Sequence, residues 1–159
     1  MSDSLLVDVQ RASDGANGPA DQILEDWVRA AIGGRVEGEL VVRIVGEAES
    51  ADLNGRFRGR PSSTNVLSFP AADDWPSVDG EPAAIGDLVI CAPVLAREAQ
   101  EQSKAEVAHW AHIVIHGVLH LLGYDHESEA DAERMEAEER RLLAEFGIGD
   151  PYAEPASID

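Results

Sequence analysis

Three histidines spaced as His116-Gly-Val-Leu-His120-Leu-Leu-Gly123-Tyr-Asp-His126 could bind one metal ion together. All five histidines of the 159-residue chain fall between His109 and His126, a clustering that random placement would not give. On a helix, residues four apart lie one turn above each other, roughly 5–6 Å between Cβ atoms. The imidazoles of His116 and His120 can therefore converge on one ion. Gly123 tolerates a positive φ without a Cβ clash, so the chain can turn back there and deliver His126 as a third ligand. Three neutral nitrogens leave one tetrahedral position for water, which is the arrangement of a catalytic zinc rather than a structural one.

The other two histidines need separate treatment. At ~100° per residue, positions 109, 112, 116 and 120 project onto one helix face. They cannot all hold one ion, because residues 112 to 120 rise about 12 Å along a helix. His112 and His116 form an alternative pair at the same spacing, without a downstream turn to supply a third ligand. His112 is accordingly read as facing substrate or supporting the ligands, and His109 as structural. A lone histidine on an apolar helix face is ordinarily a satisfied core residue.

Charge sets a second constraint. The formal net charge is −19, which argues against a general nucleic-acid binder with a broad basic patch. Local distribution tells more. Arg56, Arg58 and Arg60 lie within five positions, whereas acid is dense from Asp125 to Glu139. The acidic run reads as a solvated helix face, or else as a docking surface for a basic protein. The arginines read by default as exposed loop residues, but beside a metal they could neutralise phosphate oxygens through bidentate contacts.

These groups must be positioned by a small framework. Length and a hydrophobic share of 44% suit a single domain spanning residues 1–159, with 1–4 and 153–159 loosely ordered. Strands are expected at Leu5–Val9, Glu39–Val45, Thr64–Phe69 and Gly86–Cys91. Helices are expected at Ile23–Ile32, Ser50–Arg56, Val94–Gln102, Glu106–Leu122 and Glu127–Phe146, with a surface loop from Ala71 to Ala84. Strands mixed with helices, followed by helices alone, predict an α+β domain with a small mixed four-stranded sheet and about five helices. The metal site would then sit on a helix of the C-terminal half and the turn after it. No run approaches a membrane span, and the N-terminus lacks the basic and apolar regions of a secretory signal. A single cysteine, Cys91, rules out an internal disulfide and fits a reducing compartment, and it ends a strand-like run as a small buried hydrophobe. A cytoplasmic location is expected, with no membrane partner.

The histidine spacing equals that of the metzincin proteases except at one position. Their catalytic glutamate, which takes a proton from zinc-bound water, is replaced by Gly117. A site without that base suits a substrate whose cleavage depends on neutralising charge, as phosphodiesters do. Taken together, Phe57-Arg-Gly59, Thr64-Asn-Val-Leu-Ser-Phe-Pro70, Gly86-Asp-Leu-Val-Ile-Cys91 and the block from Ala108 to His126 resemble the bacterial YbeY family of rRNA-maturation endoribonucleases. The resemblance runs from about residue 40 to Tyr152. It implies one Zn2+ on His116, His120 and His126, and a functional arginine at Arg58. It also implies action on single-stranded rRNA in 16S 3′-end maturation and small-subunit quality control. Arg56 and Arg60 are added as substrate contacts, and a basic ribosomal protein as a partner for the acidic run. One departure is Ser63, where the family usually has proline before the Thr-Asn-Val-Leu-Ser-Phe segment. Two other readings are a ribosome-assembly binding factor with a structural zinc and a metzincin-like metalloprotease. Asp125 and Glu127 are candidates to orient the imidazoles.

Overall fold

The computed structural model describes residues 5–12, 18–71, 84–124 and 127–152. Its elements, in chain order, are β1 (Leu5–Arg11), α1 (Asp21–Ile32), β2 (Gly38–Val45), α2 (Glu47–Arg58), β3 (Val66–Pro70), β4 (Ala84–Cys91), α3 (Ala92–Glu101), α4 (Glu106–Leu121) and α5 (Glu129–Glu145). The sheet runs β1-β2-β4-β3. β1, β2 and β4 are parallel, and β3 pairs antiparallel with β4 at the edge. This is the expected α+β fold with a mixed four-stranded sheet. The interior of the predicted 71–84 loop and the ends predicted to be loose lie outside the described residues.

Alternation in the strands sorts side chains between two faces. Leu40, Val42 and Ile44 of β2, with Leu88 and Ile90 of β4, pack against apolar side chains of α1 and α4. Each such side chain contributes about 1.5–3 kcal/mol when fully buried. The intervening Val89 and Cys91 join Leu67 and Val94 on the opposite side, where Leu53 of α2 and Phe69 cover them. Cys91 is buried there, which pushes its thiol up.

α4 is the central element. Trp110, Ala111, Val114, Ile115, Val118 and Leu119 are all buried, so it is apolar on most sides, as a core helix must be. Gly117 allows its close approach to the sheet. A Cβ there would overlap Leu88 Cδ1 and lie 3.3 Å from Val66 Cγ2. The remaining stripe of α4 carries the histidines.

α5 begins cleanly. Ser128 Oγ accepts from the Asp131 backbone N–H at 3.1 Å, and Glu129 and Asp131 lie in the first turn, where the helix dipole favours acid. Its inward residues are Met135, Glu139, Leu142 and Leu143. Glu139 therefore corrects the sequence reading, which placed it in a solvated acidic run: the residue is 0% exposed. The rest of that run is partly offset by arginines one turn away, in the pairs Arg140–Glu136 and Arg141–Glu138.

All five helices differ from expectation by one to three residues at an end, and two of these shifts have a clear local cause. α3 starts at Ala92 because Pro93 fits the first helical turn, whose N–H groups have no helical acceptor. α2 runs through Arg58 and stops at Gly59, which adopts φ 70° and bonds back to Gly55 O at 3.2 Å. Arg56 and Arg58 thus ride on the last turn of a helix rather than on a loop.

Candidate metal centre

The predicted histidine face of α4 is present. Ring centroids step by 6.5 Å from His109 to His112, 6.0 Å from His112 to His116, and 4.6 Å from His116 to His120. His116 is the hub. Its Nδ1 lies 2.8 Å from Glu139 Oε2, and its Nε2 lies 3.1 Å from His120 Nε2. Each edge of this one ring is therefore committed to a different neighbour.

Glu139 ties the cluster together. Besides His116, its Oε2 lies 3.2 Å from His112 Nε2, and its Oε1 accepts from the Tyr152 hydroxyl at 2.6 Å. Burial raises the carboxyl pKa, but hydrogen bonds from His112, His116 and Tyr152 outweigh this and hold it at about 2. In turn, burial of the phenol and the Glu139 carboxylate push Tyr152 up. An ionised carboxylate only accepts, so the proton of neutral His116 is assigned to Nδ1. That leaves the lone pair on Nε2, aimed at His120. Such a pair is satisfied by an N–H of His120 or by one ion that both nitrogens bind. The donor set therefore fits a metal at the Nε2 edge.

A second grouping exists on the other edge. His112, His116 and Glu139 could hold a metal ion, since one ligand atom from each lies within 4.8 Å of the others. Exposure distinguishes the two positions. Of the residues that belong to one grouping alone, Glu139 is fully buried and the His112 side chain is 12% exposed, whereas His120 is partly exposed beside the turn at Gly123. A metal that must meet a substrate needs the more open edge.

Gly123 behaves as its position predicts. Its φ is 102°, and the N–H groups of Gly123 and Tyr124 close the end of α4 onto His120 O and Leu119 O at 3.0 Å each. The helix thus ends within three residues of His120, although His126 itself lies outside the described residues, as does Asp125. Glu127 is exposed. His109 is buried, with Nε2 2.9 Å from Glu98 Oε1, in keeping with its structural assignment. His112 is 12% exposed in its side chain and faces Tyr152 and Glu139.

Among the described residues, no hydrogen bond or ion pair joins the arginines to this cluster. Arg56 pairs with Asp52 at 3.3 Å, while Arg58 and Arg60 are exposed and form no ion pair with any described residue. The loop that follows is pinned despite lacking the family proline at Ser63. Asn54 Nδ2 donates to Ser62 O at 2.9 Å, and Ser50 Oγ bonds both the N–H and the carbonyl of Thr64. Further along, the Ser68 hydroxyl of β3 donates to Gly117 O at 3.2 Å, linking this edge of the sheet to the histidine helix.

Sequence reasoning missed Glu139 and Tyr152. A signal for Glu139 was present: with Met135, Leu142 and Leu143 it completes the i, i+4, i+7, i+8 stripe of an inward helix face. A carboxylate at such a position is buried only when it has partners. The structure also bears on the metzincin-like arrangement. Gly117 backs onto Leu88 and Val66, so a glutamate there would meet the core rather than the metal.

The comparisons agree with one another. The family model described as Endoribonuclease YbeY matches residues 11–147. A protein named Endoribonuclease YbeY from Halorhodospira halophila is 56% identical over 142 residues, covering 88% of this chain and 92% of its own. Another of that name from Pseudomonas putida is 52% identical over 151 residues, with 94% of each chain covered. A solution structure of a Thermotoga maritima protein aligns at a TM-score of 0.56 and 23% identity, covering 94% of this chain and 99% of that one, which bears on the fold alone. With the family model spanning nearly all the elements and relatives above half identity, this chain belongs to the YbeY endoribonuclease family.

Proposed function

We propose that the protein is a zinc-dependent, single-strand-specific endoribonuclease acting in the cytoplasm, in 16S rRNA 3′-end maturation and small-subunit quality control. The observation that carries this reading is the division of His116, with Nδ1 on a buried carboxylate and Nε2 facing His120. Metal-binding histidines commonly donate their other ring N–H to a carboxylate, which fixes tautomer and orientation. His116, His120 and His126 are accordingly the ligands, and Glu139 is the group that orients His116. Tyr152 and His112 hold Glu139 in turn. Bound zinc would supply a water of pKa near ~7 and a positive charge beside the scissile phosphate. Arg58 donates to the phosphate oxygens and offsets the negative charge that develops on them. Arg56 and Arg60 add weaker contacts to neighbouring phosphates. The rRNA substrate and the small-subunit setting rest on the family to which the chain belongs.

The decisive test incubates a short single-stranded rRNA fragment with metal-stripped protein, before and after zinc is restored. Cleavage only after restoration is expected. Undiminished cleavage by the stripped protein would overturn metal dependence. Binding without cleavage under either condition would favour the assembly-factor reading.

A further inference from the structure

Phe57 is the most exposed of the large hydrophobic side chains in the described structure, at 63%. Burial would ordinarily be favoured for such a ring, and nothing in the core needs it. It is nonetheless held in place. Its ring meets Phe69 edge-on, with centroids 5.2 Å apart and planes at 68°. Phe69 lies on β3, next to Ser68, whose hydroxyl bonds Gly117 O between His116 and His120 of α4. Phe57 also stands between Arg56 and Arg58, with Arg60 two residues beyond the latter. This cluster is the local exception in a chain of net charge −19.

We infer that Phe57, braced by Phe69, is a stacking platform for one unpaired nucleobase of a single-stranded nucleic acid whose phosphates meet Arg58 and Arg60. This rests on the nuclease reading above and goes beyond it by naming how the strand is gripped. Every base has a π-face, so stacking on an aromatic ring holds a strand with little regard to sequence. A duplex keeps its bases stacked on each other and cannot offer one, so such a platform also selects for single strands. Stacking further requires few phosphate contacts, which suits a protein whose overall charge repels RNA.

The experiment uses zinc-loaded protein and a short phosphorothioate-linked single-stranded RNA carrying 2-aminopurine at each position in turn. Wild type should quench the probe at one position above the others. Phe57→Ala should lose that quenching and weaken binding roughly tenfold, the scale of one base–aromatic contact. Because the lost contact is uncharged, the slope of log K against log salt should stay as in wild type. Arg58→Ala should instead flatten that slope by about 0.7. Phe57→Tyr should restore both quenching and affinity. Wild-type affinity and quenching in Phe57→Ala, with cleavage intact, would overturn the platform while leaving the nuclease reading standing. Failure of wild type to bind or cut single-stranded RNA would overturn both. Phe57 is largely exposed, so an unchanged melting curve for Phe57→Ala is expected, and a fall of many degrees would place the residue in the fold instead.

Discussion

The α4–α5 junction and the end of α2 hold their chemistry in opposite ways. At the junction, Glu139 is fully buried and is bonded to His116 and Tyr152, with His112 also in reach, so the rings have little freedom. At the end of α2, Arg58 and Arg60 are exposed, and among the described residues they are tied to the fold only through the backbone and the Gly59 turn. A metal site gains from the first arrangement, because ligands fixed before binding lose little entropy on meeting the ion. A site that must accept a flexible polymer gains from the second. The contrast teaches that rigidity here is concentrated around one imidazole, while adaptability is left to the surface proposed to meet the strand.

Mutations should separate the two regions. Glu139→Ala is expected to have the largest effect, because it leaves His116, His112 and Tyr152 without their shared acceptor. Leaving a buried donor without its acceptor costs about 1–3 kcal/mol, measurable as a lower denaturation midpoint. Metal affinity should fall about 10–100-fold with loss of the orienting carboxylate. Glu139→Gln should lower metal affinity in the same direction with less loss of stability.

Arg58→Ala should behave in the reverse manner. Cleavage should fall about 10²–10³-fold, the scale of removing one preorganised charge-stabilising donor. Zinc content and thermal midpoint should match wild type. Arg58→Lys should rescue poorly, since an ammonium cannot make the planar two-pronged contact. Loss of zinc in Arg58→Ala would erase the distinction between the regions.

Tyr152→Phe sharpens the comparison at smaller scale. It removes the hydroxyl bonded to Glu139 Oε1, a loss of about 1 kcal/mol, together with a modest drop in zinc affinity. Smallest of all should be Glu133→Gln combined with Glu136→Gln. These outward residues should leave stability within about 0.5 kcal/mol and cleavage of short RNA unchanged. If the outer face of α5 meets a basic ribosomal protein, the partner expected for the acidic run, association with ribosomal particles should weaken. The salt dependence of RNA binding should be shallow, corresponding to roughly two to four phosphates at about −0.7 each.

Much of this was legible in the residues. Strand alternation around Leu40, Val42 and Ile44 located the sheet, and the histidine spacing located α4 and its turn at Gly123. Strand order was not legible, because nothing local in Val66–Pro70 says that β3 pairs antiparallel with β4. The extent of α2 was obscured by Gly55 and by its weak apolar pattern, so the helix ends at Arg58 rather than Arg56. Glu139 was misjudged because a run of carboxylates looks uniformly solvated. Only its register with Met135 and Leu142 sets it apart. Tyr152 was invisible as a partner, since no sequence pattern brings it to α5 and α4 together.

The central claim is that the metal belongs to the Nε2 edge of His116, shared with His120, and not to the Nδ1 edge, shared with His112 and Glu139. Elemental analysis of zinc in purified His120→Ala and His112→Ala tests it most directly. The account predicts that His120→Ala, like His116→Ala, carries almost no zinc, while His112→Ala keeps about one ion per chain, as the site assignment requires. Zinc retained in His120→Ala and lost from His112→Ala would contradict it and assign the ion to the buried carboxylate edge.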